Sequence, residues 1–229
     1  MRGEKRIHIL DHNSMKPKRI ILIRHGQSEG NVNKSVYNVK PDYSVNLTDV
    51  GREQAYRAGV HLKEIIGEET ICAYVSPYYR TKQTFEEIKK SINFDFYRED
   101  PRLREHEWAS KLIDRSKLEL ERECKEYGVF YYRFEHGESC ADVYDRLSTF
   151  LESLHRDFIK EDFSENVLIV GHGMSNRVFL MRWFHWTVDE FELLKNPKNC
   201  EMIMLELQND GKYKLKTDLK KHQKKVRLF

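Results

Sequence analysis

Two short apolar runs end in the same dipeptide. Ile20–Ile23 leads into Arg24-His25-Gly26, and Val167–Val170 leads into Gly171-His172-Gly173. Four consecutive apolar residues without alternation need cover on both faces, and a glycine turn directly after them ends the run; this is the pattern of a strand in a parallel sheet. Two further segments fit the same frame, Thr70–Ser76 (TICAYVS) and Phe94–Tyr97. Between the strands lie helix-period segments. Thr48 is a candidate N-cap for a helix that runs to Ile66 and stops at Gly67, with Val50, Ala55, Ala58, Leu62 and Ile65 or Ile66 on one face. Further helices are expected over Thr81–Ile92, Lys117–Tyr127, Cys140–Lys160 and Met174–Phe184. A late strand, Glu201–Leu207, pairs with Lys212–Leu215 across Asn209-Asp210-Gly211, a turn that suits a hairpin. Strands that alternate with helices predict an α/β fold, a three-layer α/β/α sandwich around a mostly parallel central sheet.

The chain has 229 residues, which one domain accommodates. Twelve Phe, twelve Tyr and three Trp exclude a disordered chain, and no apolar run approaches the length of a membrane span. The N-terminus has no apolar core of the kind a secretory signal needs. The spacing of Cys72, Cys124, Cys140 and Cys200 fits no zinc pattern, so reduced thiols in a cytoplasmic protein are expected. Residues 1–17 read as an N-terminal extension, 18–217 as the domain, and 218–229 as a basic tail. The net charge of +3 is a product of the ends. Residues 1–19 carry six basic and two acidic groups and residues 212–229 carry eight and one, leaving 26 basic against 34 acidic in between. That body gives no argument for nucleic-acid binding.

In a parallel sheet the ligand lies beyond the carboxyl ends of the strands. If the two His-Gly strands are neighbours, His25 and His172 emerge at one edge. Arg80 follows the second strand, and Arg102-Leu103-Arg104-Glu105-His106-Glu107 follows the third. Arginines suit a dianionic phosphoryl group because the planar guanidinium donates to several oxygens at once. A histidine accepts a phosphoryl group on nitrogen, and a carboxylic acid protonates the leaving alkoxide. Glu105 or Glu107 serves as that acid. Neither a metal nor another cofactor is needed if the arginines neutralise the charge. The other eight histidines read as surface or core residues, and the Phe130–Phe134 aromatics as packing.

These residues resemble the histidine phosphatase (phosphoglycerate-mutase-like) superfamily. Arg24-His25-Gly26, with Ser28 and Asn31 after it, is similar to that family's first motif. Ser76-Pro77-Tyr78-Tyr79-Arg80-Thr81, Arg102-Leu103-Arg104-Glu105 and Gly171-His172-Gly173 are similar to the following three, in order. The resemblance implies His25 as the nucleophile and Glu105 as the acid and base. It implies that Arg24, Asn31, Arg80, His172 and the Gly173 main chain bind the phosphate. Gln27 stands where many members have Glu.

Mutases of the family commonly carry an Arg-Arg pair after the acid segment and a Trp at the position of Gly30; neither is present here. The segments 102–108, 126–154 and 181–202 resemble the plant and fungal branch that includes broad-range acid phosphatases. The implied activity is metal-independent hydrolysis of small phosphate monoesters, with no nucleic-acid or membrane partner. Phosphoglycerate mutase and a low-turnover phospho-ligand-binding protein are the alternatives.

Overall fold

The computed structural model describes residues 16–108 and 117–222. The N-terminal extension lies outside the described residues except for Lys16 and Pro17, and so do residues 223–229 of the basic tail.

The strands are β1 (Arg19–Arg24), β2 (Ile71–Val75), β3 (Tyr97–Glu99), β4 (Asn166–Gly171), β5 (Met202–Leu207) and β6 (Tyr213–Leu215). They form one sheet in the order β3-β2-β4-β1-β5-β6. β1 to β4 are mutually parallel; β5 runs antiparallel to β1, and β6 to β5. Alternation within β1 divides the core. Ile20 and Leu22 join the cluster formed with Val143, Leu147, Phe150 and Val178. Ile21 and Ile23 face the opposite way, toward Ala58, Leu62, Phe85 and Ile88. Helices therefore cover both faces, as the unbroken apolar runs require. On one side lie α2 (Asp49–Ile66) and α3 (Tyr79–Ile88), and on the other α5 (Cys140–Phe158) and α6 (Gly173–Phe184). The short helices α1 (Glu29–Val32) and α7 (Val188–Leu193) and the charged α4 (Lys117–Tyr127) complete the described set.

α2 begins and ends where its cap signals place it. Thr48 accepts the Gly51 N–H at 3.0 Å, and Gly67 closes the helix at φ 58°. Its buried stripe is Gly51, Ala55, Ala58, Leu62 and Ile66. Val50 is 55% exposed, one position off that stripe. Gly51 takes the inner place because the chain passes very close there: a Cβ at Gly51 would lie 2.0 Å from the Gln27 carbonyl oxygen, and one at Gly26 would lie 2.3 Å from that of Gly51. The first His-Gly turn thus rests directly on the start of α2.

Two expectations shift. α3 starts at Tyr79 and stops at Ile88, which brings Arg80 inside its first turn. The third strand is Tyr97–Glu99, later than the apolar residues implied, because it is an exposed edge strand. Phe94 and Phe96 before it pack into opposite core clusters. α7 is an addition to the expected elements. Its Thr187-Val188-Asp189-Glu190 start is a reciprocal capping box, a Thr-x-x-Glu signal present in the sequence.

Candidate active site

The register of the central strands assembles the site. Arg24 is paired with Gly171 in the β1–β4 ladder, so His25 and His172 leave the sheet side by side. Their ring centroids are 5.3 Å apart and the rings meet edge to face. Val75 on β2 is paired with Val170, so Ser76 also arrives there, and its Oγ lies 2.7 Å from His172 Nε2.

His25 is 4% exposed, and its Nδ1 lies 2.7 Å from the Gly26 carbonyl oxygen. A carbonyl only accepts, so Nδ1 carries the ring proton and Nε2 presents its lone pair. Burial, with Arg80 and Arg24 adding to it, pushes His25 well below the usual histidine value. His172 is pushed down in the same way, by burial, Arg80 and His25. A neutral His172 still donates through one N–H, and its Nδ1 has no hydrogen-bond partner within the protein.

A stability consequence follows from His25. Its folded value lies below 6.5, so on acidification the unfolded chain takes the proton first. The stabilisation is complete above pH 6.5 and is lost as pH falls toward the folded value. From about pH 7 to about pH 5.5 the wild type should lose more stability than His25→Asn, by at most roughly 1 kcal/mol, read by denaturant unfolding at both pH values.

The cations come from two elements. Arg24, at the end of β1, donates from Nη1 to the Pro197 carbonyl at 2.7 Å; its Nε is buried with no partner in the protein. Arg80 is 3% exposed and stacks over the Tyr78 ring at 4.9 Å. Its Nη1 donates to the Asp42 main-chain oxygen at 2.7 Å and to Asp42 Oδ1 at 2.8 Å.

Asn31 sits on α1. Its Oδ1 accepts from the Ser28 N–H and from Asn199 Nδ2, each at 3.0 Å. Both lone pairs of the oxygen are therefore engaged, which fixes the amide orientation and turns the NH2 toward other acceptors. Asn199 Nδ2 also donates to the His25 carbonyl at 3.0 Å, so one side chain ties His25 to Asn31.

Of the two acids, the structure brings Glu105 to the start of α6. Its carboxylate accepts from the N–H groups of Met174 (3.4 Å) and Ser175 (3.2 Å), next to His172 and Gly173. Glu107 is exposed. A clamp holds the segment. Arg146 on α5 donates to the carbonyls of Arg102 (2.6 Å) and Glu105 (3.2 Å) and pairs with the Glu138 carboxylate through two bonds. His106 is a core residue, 1% exposed, with Nε2 donating to the Glu138 carbonyl at 2.6 Å. Phe130 and Phe134 are buried as packing.

Asp42, Asn199, Ser76 and Tyr78 complete the set; Ser76 and Tyr78 lie in the second motif, where only Arg80 has a role in the sequence reading, and Asp42 and Asn199 lie outside every motif. Asp42 opens a single helical turn and Asn199 lies in a turn before β5; both turns are too short for periodicity to point to them.

The arrangement combines an imidazole lone pair, two guanidinium groups, a second ring, a primary amide and a carboxylate at one sheet edge. That set can receive a dianionic tetrahedral group on nitrogen and move a proton beside it.

Comparison with known proteins places the chain. Residues 20–218 match the model of the histidine phosphatase superfamily (branch 1). The chain is 42% identical over 218 residues to the phosphoglycerate mutase-like protein AT74 of Arabidopsis thaliana, covering 89% of this chain and 69% of that protein. It is 28% identical over 304 residues to the broad-range acid phosphatase DET1 of Saccharomyces cerevisiae, with 90% of each covered. In structure it resembles a mycobacterial glucosyl-3-phosphoglycerate phosphatase solved with VO3 (TM-score 0.66, 20% identity, 89% of this chain and 99% of that one). A match along nearly the whole domain, on a fold that gathers the four motifs at one edge, makes this chain a member of the histidine phosphatase superfamily.

Proposed function

We propose that the protein hydrolyses phosphate monoesters through a phosphohistidine on His25. The observation that carries this reading is the His25 ring: its proton is committed to Gly26, and its free Nε2 lies in the field of Arg24 and Arg80. In the first step the Nε2 lone pair forms an N–P bond as the ester P–O bond breaks. Protonated Glu105 gives its proton to the departing alkoxide. In the second step the Glu105 carboxylate takes a proton from water, the water oxygen bonds to phosphorus, and the N–P electrons return to Nε2. Arg24, Arg80, the Asn31 amide, His172 and the Gly173 N–H are assigned to the phosphoryl oxygens. Electrostatic grip of this kind supplies most of the rate in phosphoryl transfer. Gln27, in place of the Glu of many members, binds the Thr48 hydroxyl at 2.9 Å and takes no part in the transfer.

The low His25 value keeps the nucleophile neutral in mildly acid solution, which supports an acid-phosphatase character. Cys72, Cys140 and Cys200 are pushed up to about 12 by burial, so these thiols are poor nucleophiles and have no role in the transfer. Within this reading residues 18–217 are the catalytic domain. The ends at 1–17 and 218–229 take no part in the chemistry, although Lys220 and His222 hydrogen-bond to Lys195 and Leu193.

A panel of small phosphate monoesters, assayed for phosphate release with a chelator present, tests the proposal. Release from several esters is expected. Interconversion of 2- and 3-phosphoglycerate without net release would support a mutase instead, and binding without turnover would support a regulatory protein.

A further inference from the structure

The carboxylate of Asp42 occupies one side of a phosphate-gripping arginine. Arg80 gives two Nη1 hydrogen bonds to Asp42, one to the main chain and one to Oδ1, and a weaker Nη2 contact of 3.4 Å to Oδ2. The arginine is 3% exposed and the aspartate 33%. The pair thus joins a buried cation to a partly exposed carboxylate. Asp42 opens a single helical turn, Asp42–Ser44, and Ser44 N donates back to the Pro41 carbonyl at 3.0 Å, so the carboxylate is held by a closed turn. Arg80 has five N–H groups. Asp42 uses one edge of the fork and leaves Nε and one Nη2 N–H for another anion.

Two phenols mark the surrounding wall. The Tyr78 ring lies 5.1 Å from the His172 ring, and the Tyr37 hydroxyl lies over Gly30, where a Cβ would come within 2.2 Å of it. The charges that act on these phenols are Arg24, Arg80, Asp42, Glu105 and Glu107. Arg146, which acts on His172 from α5, is paired with Glu138 at 2.9 Å. A bound phosphoryl dianion balances Arg24 and Arg80. With those two cations balanced, the other charges that bear on the two phenols are the acids Asp42, Glu105 and Glu107.

We propose that Asp42 is a specificity-determining residue that selects phosphate monoesters whose alcohol carries no negative charge, and rejects those bearing a second phosphate or a carboxylate. The substrate class rests on the phosphomonoesterase reading of this site; the charge selection does not require turnover. The selection works by like-charge repulsion, an element that builds specificity by excluding the wrong ligand. It acts at a partly exposed carboxylate, so it weakens as salt rises.

The test measures binding of two non-hydrolysable phosphonates by calorimetry, propylphosphonate with a neutral tail and 3-phosphonopropionate with a carboxylate tail. Wild type should bind propylphosphonate about tenfold or more tightly than 3-phosphonopropionate at low salt, and the ratio should shrink at high salt. In Asp42→Asn the two affinities should come within about threefold of each other, whereas Asp42→Glu should retain the preference. Equal affinities in the wild type, an unchanged ratio in Asp42→Asn, or no binding of either phosphonate would overturn the inference. The salt series on the wild type decides the matter if Asp42→Asn does not fold: a salt-independent ratio contradicts it. Charge selection without turnover of any ester would leave the inference standing and remove the phosphatase reading. Turnover with no charge selection would do the reverse.

Discussion

Replacing His25 with alanine is expected to reduce kcat/KM for every hydrolysed ester by at least about 10⁴-fold, because the proposed route has no other nitrogen to receive the phosphoryl group. His172 does not substitute. Its Nε2 faces Ser76 Oγ, and it follows a different strand. The variant should still fold, since the loss removes a small buried ring at the end of β1 while the apolar runs beneath it are untouched. It should also still bind phosphate, because Arg24 and Arg80 have their own anchors at Pro197 and Asp42. Separating these effects matters: a loss of activity with intact phosphate binding assigns His25 to the chemistry. Activity within about tenfold of wild type would show that the reaction does not pass through this nitrogen.

The second large effect is expected at the arginines. Arg24→Ala and Arg80→Ala should each lower kcat/KM by at least about 10²-fold, the scale of losing one preorganised donor to a developing charge. Both guanidinium groups are fixed in place before substrate arrives. Arg24 is tied to a main-chain carbonyl, and Arg80 is stacked on Tyr78 and paired with Asp42. Lysine should rescue neither position well, because an ammonium cannot serve an anchor and a phosphoryl oxygen from one planar fork. Kinetics on the four variants with a single ester provide the test. Changes below about threefold at both positions would contradict the grip assigned to them.

The parts of the site that could be read from the sequence are those that the sheet places. His25 and His172 follow two apolar runs that pair in register, and a one-residue error in either would have turned the strand over. Arg80 reaches the same end of the sheet, where it acts on both rings, although its helix starts two residues earlier than the sequence suggests, because Ser76 and Pro77 fix where β2 ends. Glu105 was distinguishable from Glu107 by resemblance alone. In the structure the two differ in place: long-range bonds hold Glu105, from the α6 main chain to its carboxylate and from Arg146 to the carbonyls around it, whereas Glu107 is exposed. No local pattern encodes those. Asp42 and Asn199 were not legible for a related reason. Each belongs to a turn whose path depends on the packing of α1, α3 and β5 around it, and turns carry no period. The edge strand β3 was misplaced because its exposed residues leave no hydrophobic signature, whereas the phenylalanines just before it do.

The most direct test of the account is rapid alkali-quench of the enzyme during turnover, with mass spectrometry, under non-acidic conditions, of the peptide that contains Arg24-His25-Gly26. The prediction is one added phosphoryl group on His25, labile to acid and stable to alkali, formed no more slowly than steady-state turnover and absent from His25→Ala. Turnover that proceeds with no phosphoryl group on His25 on this timescale, or with the label on another residue, would contradict it.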